Sequence, residues 1–217
     1  MGRGSVVDIH WFDELASTQT YLIGGLKSNV LISPICIGAS LQTQGRGSRG
    51  NEWIGVKGNL FISIALNRSL LPDDLKLESS SIYFAFIMKE LLSSLDSKVW
   101  LKWPNDFYID QQKIGGVITN LVGDCLVCGI GINLSHAPSD FSKIDIELSP
   151  RELTNNYLIE LEKFPSWKQI FSKFKLEFNR SKSFASHADE ITFRLEDTIL
   201  LEDGSLEHNG QRIFSLR

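Results

Sequence analysis

A chain of 217 residues, 42% apolar and 22% charged, is long enough to bury a substantial core and too apolar to stay disordered. Its formal net charge of −4 argues against a dedicated nucleic-acid binder with a basic face, while leaving room for a local cationic site. There is no apolar run near the roughly 18 residues of a membrane span and no signal-peptide core, so a cytoplasmic protein without membrane attachment is expected. Cys36, Cys125 and Cys128 all fall in apolar, strand-like runs, which fits reduced thiols. Cys125 and Cys128 have the spacing of half a zinc site, but no second Cys/His pair completes it, so no protein-held metal is expected.

Residues 6 to 12 read as a strand leading to Ser17-Thr18, whose hydroxyls suit the N-cap of a short helix ending near Gly24-Gly25. Capping leaves both residues available to a ligand. Residues 30 to 40 read as a second strand, with Pro34 inside it marking an edge or a bulge, and 59 to 66 as a third. Pro72-Asp73-Asp74 opens a helix reaching about Leu95, apolar on nearly every side over its second half and therefore packed on a sheet. Four short runs at 98–103, 106–110, 114–122 and 125–134, rich in Val, Ile and aromatics, predict a mostly antiparallel series of strands. Ser149-Pro150-Arg151-Glu152 and Ser166-Trp167-Lys168-Gln169 are capping boxes that predict helices over roughly 150–163 and 166–182. From Ile191 onward, Asp203-Gly204 and Asn209-Gly210 divide a tail of three or four short strands, too small to stand alone and so docked on the main domain.

Between the second and third strands lies Gln42-Thr-Gln-Gly-Arg-Gly-Ser-Arg-Gly-Asn-Glu-Trp53. Its glycines, Gly45, Gly47 and Gly50, let backbone N–H groups approach an oxyanion, and Arg46 and Arg49 add charge-assisted bonds. The glycine spacing also matches a dinucleotide fingerprint, but that motif needs a helix straight afterwards. Gly55, Gly58 and the next strand-like run preclude one, so the loop reads as an anion site. A second constellation, Lys102-Trp103-Pro104-Asn105-Asp106, joins two strands and presents Asn105 and Asp106 at one end of the sheet. Across a hairpin, Lys113 faces back toward the same place, followed by Gly115-Gly116. The four histidines show neither metal nor triad spacing.

Taken in order, these motifs resemble the biotin protein ligases, whose catalytic domain is related in fold to class II aminoacyl-tRNA synthetases. The resemblance runs from Ser17-Thr18 through the Gly-Arg-Gly loop, Trp53, Lys102 to Asp106 and Lys113, to Gly129-Ile-Gly-Ile-Asn133 and the closing Ser215-Leu216-Arg217. It implies an α+β fold with a mixed, mostly antiparallel sheet and flanking helices. It further implies a catalytic domain over residues 1–186 and a short, truncated SH3-like β module over 187–217. The DNA-binding module of some members is not expected, nor a repressor role.

The activity implied is ATP-dependent ligation in two steps with Mg²⁺ on the phosphates: biotin's carboxylate attacks the α-phosphate of ATP, and a lysine of a biotin carboxyl carrier protein, such as an acetyl-CoA carboxylase subunit, then takes the acyl group from biotinyl-5′-AMP. The resemblance assigns Arg46, Lys113 and Asp106 to the chemistry. It assigns Ser17, Thr18, Gln42, Gly45, Arg46, Lys113, Gly115 and Gly116 to biotin. Arg46, Gly47, Ser48, Arg49, Gly50, Asn51, Trp53, Asn105, Asp106, Asn133 and Arg217 fall to the adenylate. Three positions depart from the common pattern: Gln19 stands for an asparagine, and Ser48 and Asn51 for arginines. Two rivals stand beside this reading, a lipoate or octanoate ligase or transferase of related fold and a non-catalytic sensor of biotin adenylate. A homodimer through exposed strand edges stays open.

Overall fold

The structure is a computed structural model and describes residues 7–47, 52–53, 55–188 and 191–214. Its centre is a seven-stranded sheet built from β1 (Asp8–Phe12), β2 (Ile35–Ala39), β5 (Leu60–Asn67), β6 (Trp100–Lys102), β7 (Asp106–Ile109), β8 (Gln112–Val122) and β9 (Cys125–Ile132), in the order β1-β2-β5-β9-β8-β7-β6. β1 and β2 run parallel, and every other neighbouring pair is antiparallel. The mixed, mostly antiparallel sheet expected is therefore present.

β5, third in that order and interior, reads Leu-Phe-Ile-Ser-Ile-Ala-Leu-Asn, mostly apolar on both faces because both are covered. Leu60, Ile62, Ile64 and Leu66 face the large core, where α2 (Ser80–Ser94) lies across the sheet with α3 (Pro150–Leu161) and α4 (Trp167–Glu177) beside it. On the opposite face Ala65 joins Ile35, Ile37 and Val127 against Leu22 of α1 (Thr18–Lys27). Eleven residues of α2 are buried, which explains why its apolar character runs nearly all the way round.

Several boundaries differ from the expectations. α1 continues through Gly24-Gly25 to Lys27, because Gly25 serves packing there and not termination: a Cβ on it would lie 2.4 Å from Leu31 Cδ1. β2 begins after Pro34, so the proline marks the start of an interior strand and neither an edge nor a bulge. Pro72-Asp73-Asp74 does not open α2, which starts at Ser80 after a 3-10 turn. Asp74 caps a different helix, its carboxylate accepting the Trp167 and Lys168 N–H groups at 2.9 and 3.0 Å at the start of α4. The capping box is complete at Ser166 and Gln169; at Ser149 only the serine half is made, from Glu152 N. α4 ends at Glu177, and residues 178–183 tighten into 3-10 geometry.

From Ile191 onward the tail holds four short strands, as expected, and one more precedes them: β10 (Ala185–Ala188) pairs with β11 (Ile191–Arg194), and β12 (Ile199–Leu200), β13 (Leu206–His208) and β14 (Gln211–Ile213) form a small antiparallel sheet. It docks as anticipated. Phe193, Leu195 and Leu206 belong to the main core, and the indole N–H groups of Trp103 and Trp167 donate to the Gly204 and Glu202 carbonyls, each at 2.8 Å. Among the described residues no helix is long and apolar enough to cross a membrane.

Candidate active site

The pocket floor is a patch of sheet where three of four facing positions are glycines, Ile118 being the fourth. β8 and β9 place Gly116 opposite Gly131 and Ile118 opposite Gly129, so this stretch of the face stays flat. Neighbouring groups occupy the space that side chains would need: a Cβ on Gly129 would lie 2.6 Å from Gln19 Oε1, and one on Gly131 3.1 Å from Trp53 Nε1. The first turn of α1 walls one side and the hairpin of β3 (Gly45–Arg46) with β4 (Glu52–Trp53) another, while the β6–β7 junction closes the third. They enclose a slot of about 50 Å³, narrower than ordinary ligand pockets of about 300 Å³ or more.

At one end every polar group is neutral. Gln42 Oε1 accepts from Thr18 N at 2.7 Å and from Thr18 Oγ1 at 3.0 Å. An amide oxygen only accepts, so the Thr18 hydroxyl hydrogen is committed to Gln42, and the Ser63 hydroxyl, 2.9 Å from Thr18 Oγ1, must donate to it. These bonds fix the Gln42 carboxamide, whose nitrogen has no partner among the described residues. Ser17 caps α1 as expected, accepting from Thr20 N at 3.3 Å, and also lines the slot.

The other end is charged. Lys113 Nζ pairs with Asp106 Oδ1 at 2.6 Å, both side chains partly shielded from water. A regular strand would point Lys113 and Gly116, three residues apart, to opposite faces. A bulge between β7 and β8 pairs Phe107 with Gly115 but Tyr108 with Lys113, and this extra residue turns Lys113 onto the face of Gly116 and Asp106. Arg46, exposed on β3, has no hydrogen bond or ion pair among the described residues. Asn105 is buried in the wall, its amide nitrogen donating to Val117 O while Val117 N donates to Asn105 O at 2.9 Å. That mutual clamp fixes the β6–β7 junction against β8. Trp53 meets Phe141 edge to face, with ring centroids 6.0 Å apart.

Thus Ser17, Thr18, Gln42, Arg46, Gly47, Trp53, Asn105, Asp106, Lys113 and Gly116 converge on one pocket. Three expected residues do not line it. Asn133 is buried, donating to Ser142 O at 3.1 Å and facing Asn59 Nδ2 at 3.4 Å, so it shapes the loop after β9. Gly45 and Gly115 are packing glycines whose Cβ atoms would each lie 2.4 Å from a backbone oxygen, of Trp53 and of Gly131. Ser48, Arg49, Gly50, Asn51 and Arg217 lie outside the described residues. Gln19, Ser63, Gly129 and Gly131 also line the slot and were not singled out as site residues. Ser63 had a signal, as the one hydroxyl in an interior strand that is otherwise apolar up to Asn67.

A slot with a neutral hydrogen-bonding end and a cationic mouth, set on the flat face of a mixed sheet, has the polarity of a small molecule that joins an uncharged polar head to an anionic group. The chain belongs to the biotin/lipoate A/B protein ligase family, whose model matches residues 11–133. It is similar to the bifunctional ligase/repressor BirA of Escherichia coli, 36% identical over 129 residues, which are 55% of this chain and 38% of that protein. It is also similar to the human biotin–protein ligase, 32% identical over 139 residues, 58% of this chain and 19% of that protein. The matched region is thus well under half of these curated relatives. Among solved structures, the crystal structure of biotin acetyl coenzyme A carboxylase synthetase from Helicobacter pylori with bound biotinylated ATP superposes with a TM-score of 0.91. The two are 43% identical, covering 96% of this chain and 99% of that one.

Proposed function

We propose that the chain is an ATP-dependent biotin protein ligase. The observation that carries this reading is the bipolar slot: Ser17, Thr18, Gln19, Gln42 and Ser63 at one end, Arg46, Lys113 and Asp106 at the other. Biotin has this polarity, with a neutral ureido ring at one end and a carboxylate at the other. The likeness along nearly the whole chain to the Helicobacter pylori synthetase supports it.

In the first step the carboxylate attacks the α-phosphate of ATP, giving biotinyl-5′-AMP and pyrophosphate. Two anions must approach, and Lys113 and Arg46 offset their repulsion in a cleft shielded from bulk water. Asp106, bonded to Lys113, keeps the ammonium aimed at the mouth. Among the described residues no cluster of three His, Cys, Asp or Glu side chains is placed to hold a metal. Mg²⁺ would therefore arrive on the triphosphate, where it supplies further charge neutralisation. In the second step a carrier lysine attacks the acyl carbonyl and AMP leaves. That amine, near pKa 10.4 in water, must first lose a proton, and Asp106 is the carboxylate at the mouth able to take it. The names of relatives that act on acetyl-CoA carboxylase support a carboxylase carrier domain as acceptor. The reduced state expected of the three cysteines favours a cytoplasmic setting. The strands beyond residue 186 are read as a module docked on a catalytic domain.

The test is exchange of labelled pyrophosphate into ATP by the purified chain with Mg²⁺, using biotin, octanoate and lipoate in parallel. Biotin-dependent exchange is expected. Exchange with octanoate or lipoate alone would move the chain to the lipoate branch, and tight biotin binding without exchange would make it a sensor.

A further inference from the structure

Asn59 stands one residue before β5, is 1% exposed, and has no role assigned so far. Its carboxamide is committed to the loop that follows β9. Oδ1 accepts from three consecutive N–H groups, those of Leu134 and Ser135 at 3.0 Å and of His136 at 3.1 Å, and Nδ2 donates to His136 O at 2.8 Å. Three amides wrapped on one oxygen fix the direction in which the chain leaves the strand. The far end of the loop returns to the same point: Asn133, which faces Asn59 Nδ2 at 3.4 Å, donates from its side chain to Ser142 O at 3.1 Å and accepts on its carbonyl from Ile144 N at 2.9 Å. Between the two ends, Phe141 reaches Trp53, and Ser142 N donates to Lys113 O at 2.9 Å. That last bond joins the loop to the chemistry, because Lys113 sits at the bulge where β8 loses its regular register with β7.

We infer that Asn59 is a positioning residue for the first step: it holds the loop over 133–144 in place, and through Ser142 that loop holds the backbone from which Lys113 projects. This rests on the ligase reading above and deepens it. A bulge interrupts the ladder, so the direction of a side chain it carries depends on what else ties the backbone down. The repulsion between carboxylate and phosphate is greatest as the two react, and an ammonium displaced by about 1 Å therefore costs more in turnover than in binding. Asparagine suits the position: a carboxylate would set an oxygen against His136 O, and a leucine would leave three N–H groups unpaired. Asn59 itself does not line the slot and acts on Lys113 through the loop.

The experiment is a double-mutant cycle on biotin-dependent pyrophosphate exchange by the full chain, with Asn59→Ala and Lys113→Gln made singly and together and kcat and the KM for biotin read for each. Asn59→Ala alone should lower kcat by about thirtyfold and change the KM for biotin by no more than about threefold. In the Lys113→Gln background the same substitution should cost less than about threefold, since the group it positions is gone. A role in stability alone would reduce activity by the same factor in both backgrounds. That additivity, or an unchanged kcat in Asn59→Ala, would overturn the assignment while leaving the ligase reading intact. Should Asn59→Ala fold poorly, Ser142→Pro, which removes the amide hydrogen that reaches Lys113 O, decides by the same cycle. Absence of biotin-dependent exchange in the unaltered chain would overturn the ligase reading and this assignment with it.

Discussion

Lys113 and Asp106 face each other at 2.6 Å, so neither acts without altering the other, and separating their roles requires separate half-reactions. Asp106→Asn keeps the shape and a weaker hydrogen bond to Lys113. It should leave biotin-dependent pyrophosphate exchange within a few-fold while slowing transfer from preformed adenylate to a carrier by about a hundredfold. Equal loss in both steps would remove the proton-accepting role. Lys113→Gln should instead cost about a hundred- to a thousandfold in the first half-reaction, in proportion to the charge it no longer supplies. These two residues were legible in the chain because chemistry-bearing side chains stood beside Pro104 and paired glycines. The bulge that makes them meet was not, since a register shift leaves no mark in composition. Gln19 was visible only as a departure; the place of its oxygen over Gly129 emerges from packing.

Glycines that look alike along β8 and β9 do different work, and two substitutions separate them. A Cβ on Gly115 would strike the Gly131 carbonyl at 2.4 Å, a backbone atom that cannot retreat without breaking the β8–β9 ladder. Gly115→Ala should lower stability by about 1–3 kcal/mol, read as a fall in the thermal midpoint. On Gly129 the nearest atoms all belong to side chains, Gln19 Oε1 at 2.6 Å and Ile118 Cγ1 at 3.1 Å. Gly129→Ala should leave the midpoint almost unchanged and weaken biotin binding by about tenfold; the reverse pattern would mean that the floor, and not the side chain above it, is the flexible part. The strands themselves were readable from β-branched runs between turn residues, and α3 and α4 from serine caps. The start of α2 was misplaced because Pro72-Asp73-Asp74 has the chemistry of a helix start, and sequence cannot tell that Asp74 caps α4, 93 residues away.

The tail and the main sheet share one core, and a small polar cluster fastens the outer part of that junction. Asp203 accepts from Ser205 N and Oγ and pairs with Arg212, while its own carbonyl receives the Ser79 hydroxyl at 2.7 Å. Burial pushes its carboxyl upward, but the bonds from Ser205 and Arg212 outweigh that and hold it below its ordinary value of 3.8. A carboxylate depressed in the folded state stabilises fully above 3.8 and loses that contribution as pH falls through the lower folded value. Protection of tail amides in hydrogen exchange should therefore fall below about pH 4, and Asp203→Asn should remove that acid dependence while leaving the rest of the curve. An unchanged profile in Asp203→Asn would place the acid-sensitive group elsewhere. Docking itself could be foreseen from the size of the tail. Its partners could not, because Trp103 and Trp167 reach their acceptors 101 and 35 residues along the chain.

Five tryptophans are present, and only Trp53 lines the slot. Trp11 lies under Arg151, Trp100 lies under Arg180, and Trp103 and Trp167 are tied to the tail. The indole N–H of Trp53 is buried and has no partner among the described residues. Any molecule that enters will change the surroundings of this one chromophore, so the chain carries an optical reporter of its own occupancy. Titration with biotin and ATP should shift or quench the near-ultraviolet emission in the unaltered chain and leave that of Trp53→Phe flat, and site filling can then be followed in real time without a label.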